Sequence, residues 1–268
     1  MPEGDTIFRL ADRLSKVLTH KVVRAFEAHV IRDDVAKTIV GHTVAAVEAR
    51  GKNLLVRFDD GRALHVHLRM LGRVFVERTR GVQRSRMRSR SPQLRLEVDG
   101  AIVTGHRIPV LRLLTRVSEA RAPDLAGLGP DILADAFDAA EVLRRFRTLG
   151  RREIGDALLL QRAVAGIGNV YKSEVLFLQH IDPKARLSTL PDDVLLGALD
   201  RARTLMKKNL GGGPRTTRST LSGARLWLYG RAGKPCFVCT TPIEAYRQGA
   251  PPGRITYHCP VCQPAAAE

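Results

Sequence analysis

With 268 residues the chain can hold two or three domains with adequate cores, and 44 Lys plus Arg against 27 Asp plus Glu give it a charge of +17 and a pI near 10.6. No apolar run approaches the roughly 18 residues that cross a bilayer, which predicts a soluble protein without a membrane helix. Such a basic excess suits a polyanion, nucleic acid first and an anionic membrane surface second, and the preference for arginine over lysine favours planar bidentate contacts to phosphate.

The opening "MPEGDTIFRLADRL" lacks the basic start and apolar stretch of a secretory signal. Ile7, Leu10, Ala11, Leu14, Val17 and Leu18 recur at helical spacing and predict an amphipathic helix. Pro2 lies just outside its start, where a missing N–H costs nothing. Methionine ahead of so small a residue is normally removed, which would leave Pro2 as the terminus with a secondary amine. From residue 21 to 105 the pattern becomes short alternating runs ("VVRAFEAHV", "TVAAVEA", "NLLVRF", "ALHVHL", "GRVFVE", "QLRLEV", "AIVTG") divided by turn signals such as "DDG" and "DG". These predict antiparallel strands in a sandwich or barrel. Lys52 stands at a strand start beside Gly51, and by itself reads as a solvated charge. The arginine-rich insertion "RTRGVQRSRMRSRSPQ" reads as a loop that touches phosphate or stays solvated.

"ARAPDLAGLGPDIL" is broken by Pro123, Gly127, Gly129 and Pro130 and reads as a linker. Four helical stretches follow: "AAEVLRRF", "REIGDALLLQRAV", "NVYKSEVLFLQ" and "PDDVLLGALDRARTLMKKN", the last with Pro191, Asp192 and Asp193 at its start and Lys207 and Lys208 at its end. Between the second and third, "AGIGNVYKSE" offers two glycines for a tight turn and Asn169 as a cap. Exposed N–H groups there would seat a phosphate, and a plain helical hairpin is the alternative. "LGGGPRTTRSTLSGAR" reads as a flexible basic loop. Cys236 and Cys239 ("CFVC") face Cys259 and Cys262 ("CPVC") across a gap long enough for a β-hairpin, the spacing of a structural, four-coordinate Zn²⁺ site. Disulfides are the alternative, less suited to a chain with no secretory signal.

Together these stretches resemble the formamidopyrimidine-DNA glycosylase and endonuclease VIII family of base-excision repair enzymes, through "MPEG", "RGKNLLVRF", "LGPDIL", "AGIGNVYKSEVLF" and "GRITYHCPVCQ" in the family's order. The resemblance implies an α+β multidomain fold: an N-terminal helix with an antiparallel β-sandwich (1–122), a helical domain with a helix-two-turns-helix motif (123–228) and a C-terminal zinc-binding β-hairpin (229–268). It implies that the freed amine of Pro2 attacks the sugar C1′ and forms an iminium link to DNA, with Glu3 as general acid and base. Lys52 matches a lysine that contacts phosphate beside the lesion, Asn169 the asparagine of the helix-two-turns-helix phosphate site, and Arg254 the hairpin arginine that assists the second elimination. Arg69, Met70 and Leu71 in "HLRMLGR" match the residues that plug the duplex after base extrusion. Read without the resemblance, Met70 and Leu71 are ordinary core residues.

Three departures stand out. Thr6 occupies the place of a second acid, and the adjacent Asp5 would point elsewhere. Thr240 follows the first cysteine pair where glycine is usual, and a β-branched residue resists positive φ, which predicts a reshaped knuckle. "TGHRIPVLRLL" lacks the Arg-Arg-Phe-Gly segment of the formamidopyrimidine branch, which leans the chain toward endonuclease VIII and oxidised pyrimidines. The expectation is a cytoplasmic, nucleoid-associated monomer acting on damaged DNA, with one structural Zn²⁺, no organic cofactor, no membrane and no obligate protein partner. Two alternatives are a non-catalytic zinc-finger nucleic-acid-binding protein and an 8-oxoguanine- or formamidopyrimidine-preferring glycosylase.

Overall fold

The computed structural model describes residues 2–79, 92–220 and 223–265, and the chain divides into two compact units, Met1–Ala126 and Gly127–Glu268. Most of the arginine-rich insertion therefore lies outside the described residues. Among those described, no helix is long and apolar enough to cross a membrane.

The first unit opens with α1 (Gly4–Leu18). Ile7, Leu10, Ala11, Leu14 and Leu18 are buried along one face, while Asp12 and Lys16 pair one turn apart on the solvated side. Each large apolar side chain removed from water contributes about 1.5–3 kcal/mol, so this stripe fixes the helix against the sheet beneath it. Two four-stranded antiparallel sheets follow. One runs β1 (Val23–Ala28), β6 (Leu94–Val98), β7 (Ala101–His106), β5 (Arg73–Arg78); the other runs β2 (Val44–Arg50), β3 (Asn53–Phe58), β4 (Ala63–His67), β8 (Val110–Leu114). Both sheets and α1 share one core, in which Phe26 meets Phe58 edge-on at 6.5 Å. A short helix, α2 (Asp33–Lys37), separates β1 from β2.

The eighth strand escapes the sequence reading, which ends at residue 105. "VLRLL" has no alternation that separates strand from helix. Only its pairing with β4, His67 opposite Val110 through Ala63 opposite Leu114, makes it a strand. Two one-turn elements, α3 (Arg116–Arg121) and α4 (Pro123–Ala126), then occupy part of the expected linker.

The second unit contains α5 (Ala139–Thr148), α6 (Ile154–Ala157), α7 (Asn169–Leu178), α8 (Asp192–Lys208), and a hairpin of β9 (Glu244–Gln248) and β10 (Arg254–His258). The long helix predicted from "REIGDALLLQRAV" shrinks to α6. Gln161 ends it: its amide donates to Leu159 O and Ile167 O, both at 3.0 Å, and accepts Gly166 N at 3.0 Å. A side chain thus replaces the helical ladder, and Gly166 at φ 104 completes the turn. Helix α7 is buried at every residue from Asn169 to Phe177, so its polar side chains must find partners inside the protein. The sequence pattern divides the chain after residues 122 and 228, and the second compact unit, Gly127–Glu268, holds both the helices and the cysteine-bearing hairpin.

Candidate functional site

Glu3 sits at the N-cap position of α1, where its carbonyl accepts Thr6 N at 3.0 Å and Ile7 N at 3.1 Å. Its side chain makes no capping bond and is fully buried, while Pro2 beside it is half-buried. Asp5 is also fully buried, and the Thr6 hydroxyl donates to it at 3.3 Å.

Lys52 lies in the two-residue turn between β2 and β3, one position ahead of the strand start, where Arg50 pairs with Asn53. Gly51 takes φ 60, the positive value that a type II′ hairpin turn needs at its first position. Beneath the turn, Asn53 donates its amide to Arg50 O at 3.2 Å and to Asp124 O at 3.1 Å. Its oxygen must then accept, so His65 Nε2, 2.8 Å away, carries the proton, and the buried Nδ1 is left without a partner. Strand alternation puts His65 on a face that reads as solvated. The α3–α4 segment covers that face, with Glu119 paired to Arg57 at 2.8 Å and Asp124 tied to Asn53. Sequence reading therefore missed Asn53 and His65 as supports of the Lys52 turn.

Burial pushes the His65 imidazole down to about 4 from its ordinary value, so the folded state binds this proton less readily than the unfolded chain. The resulting stability is complete above pH 6.5 and is lost as pH falls toward 4. Chemical denaturation at pH 7 and pH 5 should show a loss of about 1–2 kcal/mol in the first unit, and that loss should shrink in His65→Asn.

Residues 68–72 carry the chain from β4 in one sheet to β5 in the other. Gly72 N donates to Leu68 O at 2.9 Å, and a Cβ on Gly72 would come within 2.7 Å of that same oxygen. Arg69 adopts φ 44, with its N–H donated to His67 Nδ1 at 3.1 Å. Met70 and Leu71 are 64% and 63% exposed, which corrects their reading as core residues.

In the second unit Asn169 is the first helical residue of α7, and Gly168 holds the cap position expected for it. The asparagine instead donates from Nδ2 to Ile255 O at 2.7 Å, leaving Oδ1 buried and unpartnered. Exposed Arg254 precedes Ile255 on β10. One residue further, Thr256 Oγ1 accepts from buried Lys172 Nζ at 2.6 Å and donates to Gln248 Oε1 at 2.7 Å. Gln248 Nε2 in turn reaches Glu153 at 2.7 Å and Pro183 O at 2.8 Å. The strand carrying Arg254 is thus locked to α7 through Asn169 and Lys172. Glu174, fully buried on the same helix, accepts the N–H groups of Trp227, Leu228 and Tyr229 at 2.7, 2.9 and 2.9 Å and the Thr217 hydroxyl. Neither Lys172 nor Glu174 stands out in the sequence, because charges on an amphipathic pattern read as solvated.

All four cysteines are free thiols with their sulfurs within 4.8 Å of one another. Cys236 to Cys262 measures 3.9 Å and Cys239 to Cys259 3.3 Å, too long for a disulfide at about 2.05 Å. Zn–S bonds of about 2.3 Å separate tetrahedral thiolates by roughly 3.8 Å, so the donor set fits Zn²⁺. Burial pushes the Cys259 and Cys262 thiols up, a penalty for gathered negative sulfur that a dication offsets. Thr240 takes φ 64 after the first pair, so the knuckle keeps the left-handed turn and the side chain absorbs the strain. Thr240→Gly should stabilise the second unit by about 1 kcal/mol, read as a melting shift of about 2–4 °C at unchanged metal content.

Two family models match the chain: the formamidopyrimidine-DNA glycosylase N-terminal domain over residues 1–107 and the formamidopyrimidine-DNA glycosylase H2TH domain over residues 128–220. A probable endonuclease 8 2 of Streptomyces coelicolor is 38% identical across 98% of this chain and 94% of its own length. A DNA-(apurinic or apyrimidinic site) lyase Nei2 of Mycolicibacterium smegmatis is 36% identical across 99% and 100%. Among solved structures, wild-type Lactococcus lactis Fpg (MutM), in complex with a DNA containing N7-benzyl-Fapy-dG, superimposes with a TM-score of 0.78 at 26% identity, covering 98% of this chain and 100% of that one.

Proposed function

The chain belongs to the formamidopyrimidine-DNA glycosylase family, and from that premise we propose that its freed leading nitrogen is the reagent with which it attacks damaged DNA. It is a DNA glycosylase and abasic-site lyase of base-excision repair. The observation that carries the proposed chemistry is the start of α1, where half-buried Pro2 adjoins a fully buried carboxylate, Glu3. Solvated charge does not account for a glutamate with no exposed surface.

In this reading, removal of Met1 leaves a secondary amine that ordinarily titrates near pH 8 and is partly neutral at physiological pH. Its lone pair forms a bond to C1′, the glycosidic electrons leave with the base, and the proton shed by the amine nitrogen neutralises that base. Glu3 delivers a proton to the ring oxygen as the sugar opens, leaving an iminium between Pro2 and C1′. That cation draws electrons from C2′, so the Glu3 carboxylate removes a C2′ proton and the 3′ phosphate leaves. A second elimination expels the 5′ phosphate, and water releases the sugar fragment and restores the amine. Lys52 holds the phosphate beside the lesion, Asn169 and the N-terminal turn of α7 another, and Arg254 assists the second elimination. Arg69, Met70 and Leu71, standing exposed on their turn, fill the gap left by the extruded base, which offsets a few kcal/mol of lost stacking. A zinc ion on the four cysteines would supply rigidity alone, since four protein ligands leave no open position.

The preferred lesion is an oxidised pyrimidine, supported by the endonuclease 8 names of the relatives and by the missing Arg-Arg-Phe-Gly segment. The protein works as a cytoplasmic, nucleoid-associated monomer, a placement that rests on its DNA substrate. Two measurements test the reading. Borohydride reduction in the presence of abasic-site duplex should fix one protein chain per DNA, and its failure with material beginning at Pro2 overturns the mechanism. A panel of duplexes bearing single oxidised bases should show faster release of thymine glycol or 5-hydroxycytosine than of 8-oxoguanine or formamidopyrimidines. The reverse order overturns the lesion assignment.

A further inference from the structure

Residues 201–243 contain nine basic side chains (Arg201, Arg203, Lys207, Lys208, Arg215, Arg218, Arg225, Arg231 and Lys234) and no acidic one. The carboxylate of Glu174, which reaches into this segment from α7, is already engaged by three backbone N–H groups and the Thr217 hydroxyl. The loop ahead of the zinc hairpin reads from sequence as a flexible tether, but its neck is closed. Thr217 N and Arg218 N donate to Arg225 O at 3.0 and 3.1 Å, and Trp227 Nε1 donates to Thr217 O at 3.2 Å.

Arg218 stands at that neck. Its guanidinium lies 4.0 Å from the ring centroid of Phe237 and 5.4 Å from that of Trp227. Phe237 sits between Cys236 and Cys239, so the metal knuckle determines where this platform lies. Arg231 stacks on the same ring at 3.5 Å but is 7% exposed and spends Nη1 and Nη2 on Trp227 O and Pro235 O. Arg218 is half-buried, and among the described residues its side chain makes one hydrogen bond, a long one of 3.3 Å to Ala224 O. Stacking engages the flat face of a guanidinium and leaves its N–H edge available, and that edge has the fork geometry that matches a phosphate.

We propose that Arg218 is a further DNA-binding residue, held ready on the aromatic platform of the zinc knuckle and presenting its N–H edge to a backbone phosphate. The assignment rests on the DNA-glycosylase reading above. Ordering the side chain before DNA arrives removes part of the entropy that an arginine otherwise loses on binding. It also gives the metal a second task, since the knuckle that supports the hairpin of Arg254 would position Arg218 too.

The test is binding to a duplex containing a tetrahydrofuran abasic analogue, followed by anisotropy across a KCl series, with zinc content measured for each variant. Arg218→Ala should lose about 3- to 10-fold in affinity near 0.1 M salt and lower the log–log salt slope by about 1, the signature of one phosphate contact removed. Arg218→Lys should keep the slope while losing about 2- to 3-fold. Phe237→Leu, which retains the charge and all four cysteines, should also weaken binding by about 2- to 5-fold at full zinc occupancy. An unchanged slope and affinity in Arg218→Ala overturns the proposal. So does a loss of zinc accompanying every loss of affinity, because Arg218 would then be balancing the thiolate charge. Borohydride trapping by the unaltered chain judges the glycosylase reading separately: trapping with an unchanged Arg218→Ala slope removes only this assignment, while absence of trapping removes the reading beneath it.

Discussion

Protein that retains Met1 ahead of Pro2 is expected to give no borohydride-stable adduct with abasic-site DNA and to lose base release by more than about 10⁴-fold, the scale on which removal of a covalent nucleophile shows. An added residue converts the secondary amine into an amide, whose lone pair is delocalised and cannot attack C1′. Glu3→Gln separates the two roles assigned to the chain start. It keeps the size and burial of the side chain but cannot deliver or take a proton, so base release should fall by about 10²–10⁴-fold. Trapping on a preformed abasic site should fall less, because the aldehyde of an opened sugar no longer needs ring protonation. Binding to the tetrahydrofuran duplex should be nearly unchanged in both forms, which shows that the fold is intact. Intact-mass measurement reports the terminus of each preparation. Full activity with Met1 retained, or with the amine acetylated, would falsify the mechanism.

Loss of a zinc ion held by the four cysteines is expected to have the next largest consequence. Structural zinc contributes on the order of 10 kcal/mol to the folding of small cysteine sites, far more than the few apolar contacts around Cys236, Cys259, Leu228 and Ile243 can replace. A chelator strong enough to extract zinc, or Cys259→Ser, should release one equivalent of metal per chain and unfasten the β9–β10 hairpin. Amides from residue 244 to 258 should then exchange rapidly, and affinity for abasic-site DNA should fall at least about 100-fold as Arg254 loses its support. The first unit has its own core and holds none of the cysteines, so its melting should hardly move. Retention of full DNA affinity by the metal-free protein would remove the zinc hairpin from the binding surface. A stoichiometry other than one would overturn the four-thiolate site itself.

Much of this molecule is legible from local pattern. The stripe of Ile7, Leu10, Ala11, Leu14 and Leu18 gives α1, the alternating runs give seven of the eight sandwich strands among the described residues, and the two cysteine pairs give four thiols gathered closely enough to hold a metal ion. These succeed because each depends on a spacing of a few residues, which a linear chain records directly. Exceptions arise where a local rule meets a distant partner. "VLRLL" becomes β8 only by pairing with β4, and "REIGDALLLQRAV" stops being helical because Gln161 supplies the bonds that a further turn would have used.

Composition and short-range spacing carry most of the order of the elements, the clustering of the cysteines into two pairs, the basic excess and the residues that match the family's motifs. Long-range packing settles that His65 is buried beneath the Lys52 turn, that Met70 and Leu71 stand in solvent, and that Lys172 and Glu174 lie in the interior, where they fasten the hairpin and its preceding loop to α7. Burial and partnership belong to pairs of residues far apart in the chain, which no short window of sequence contains. A lysine in a helical pattern looks the same whether water or Thr256 will meet it, and folding alone makes that choice.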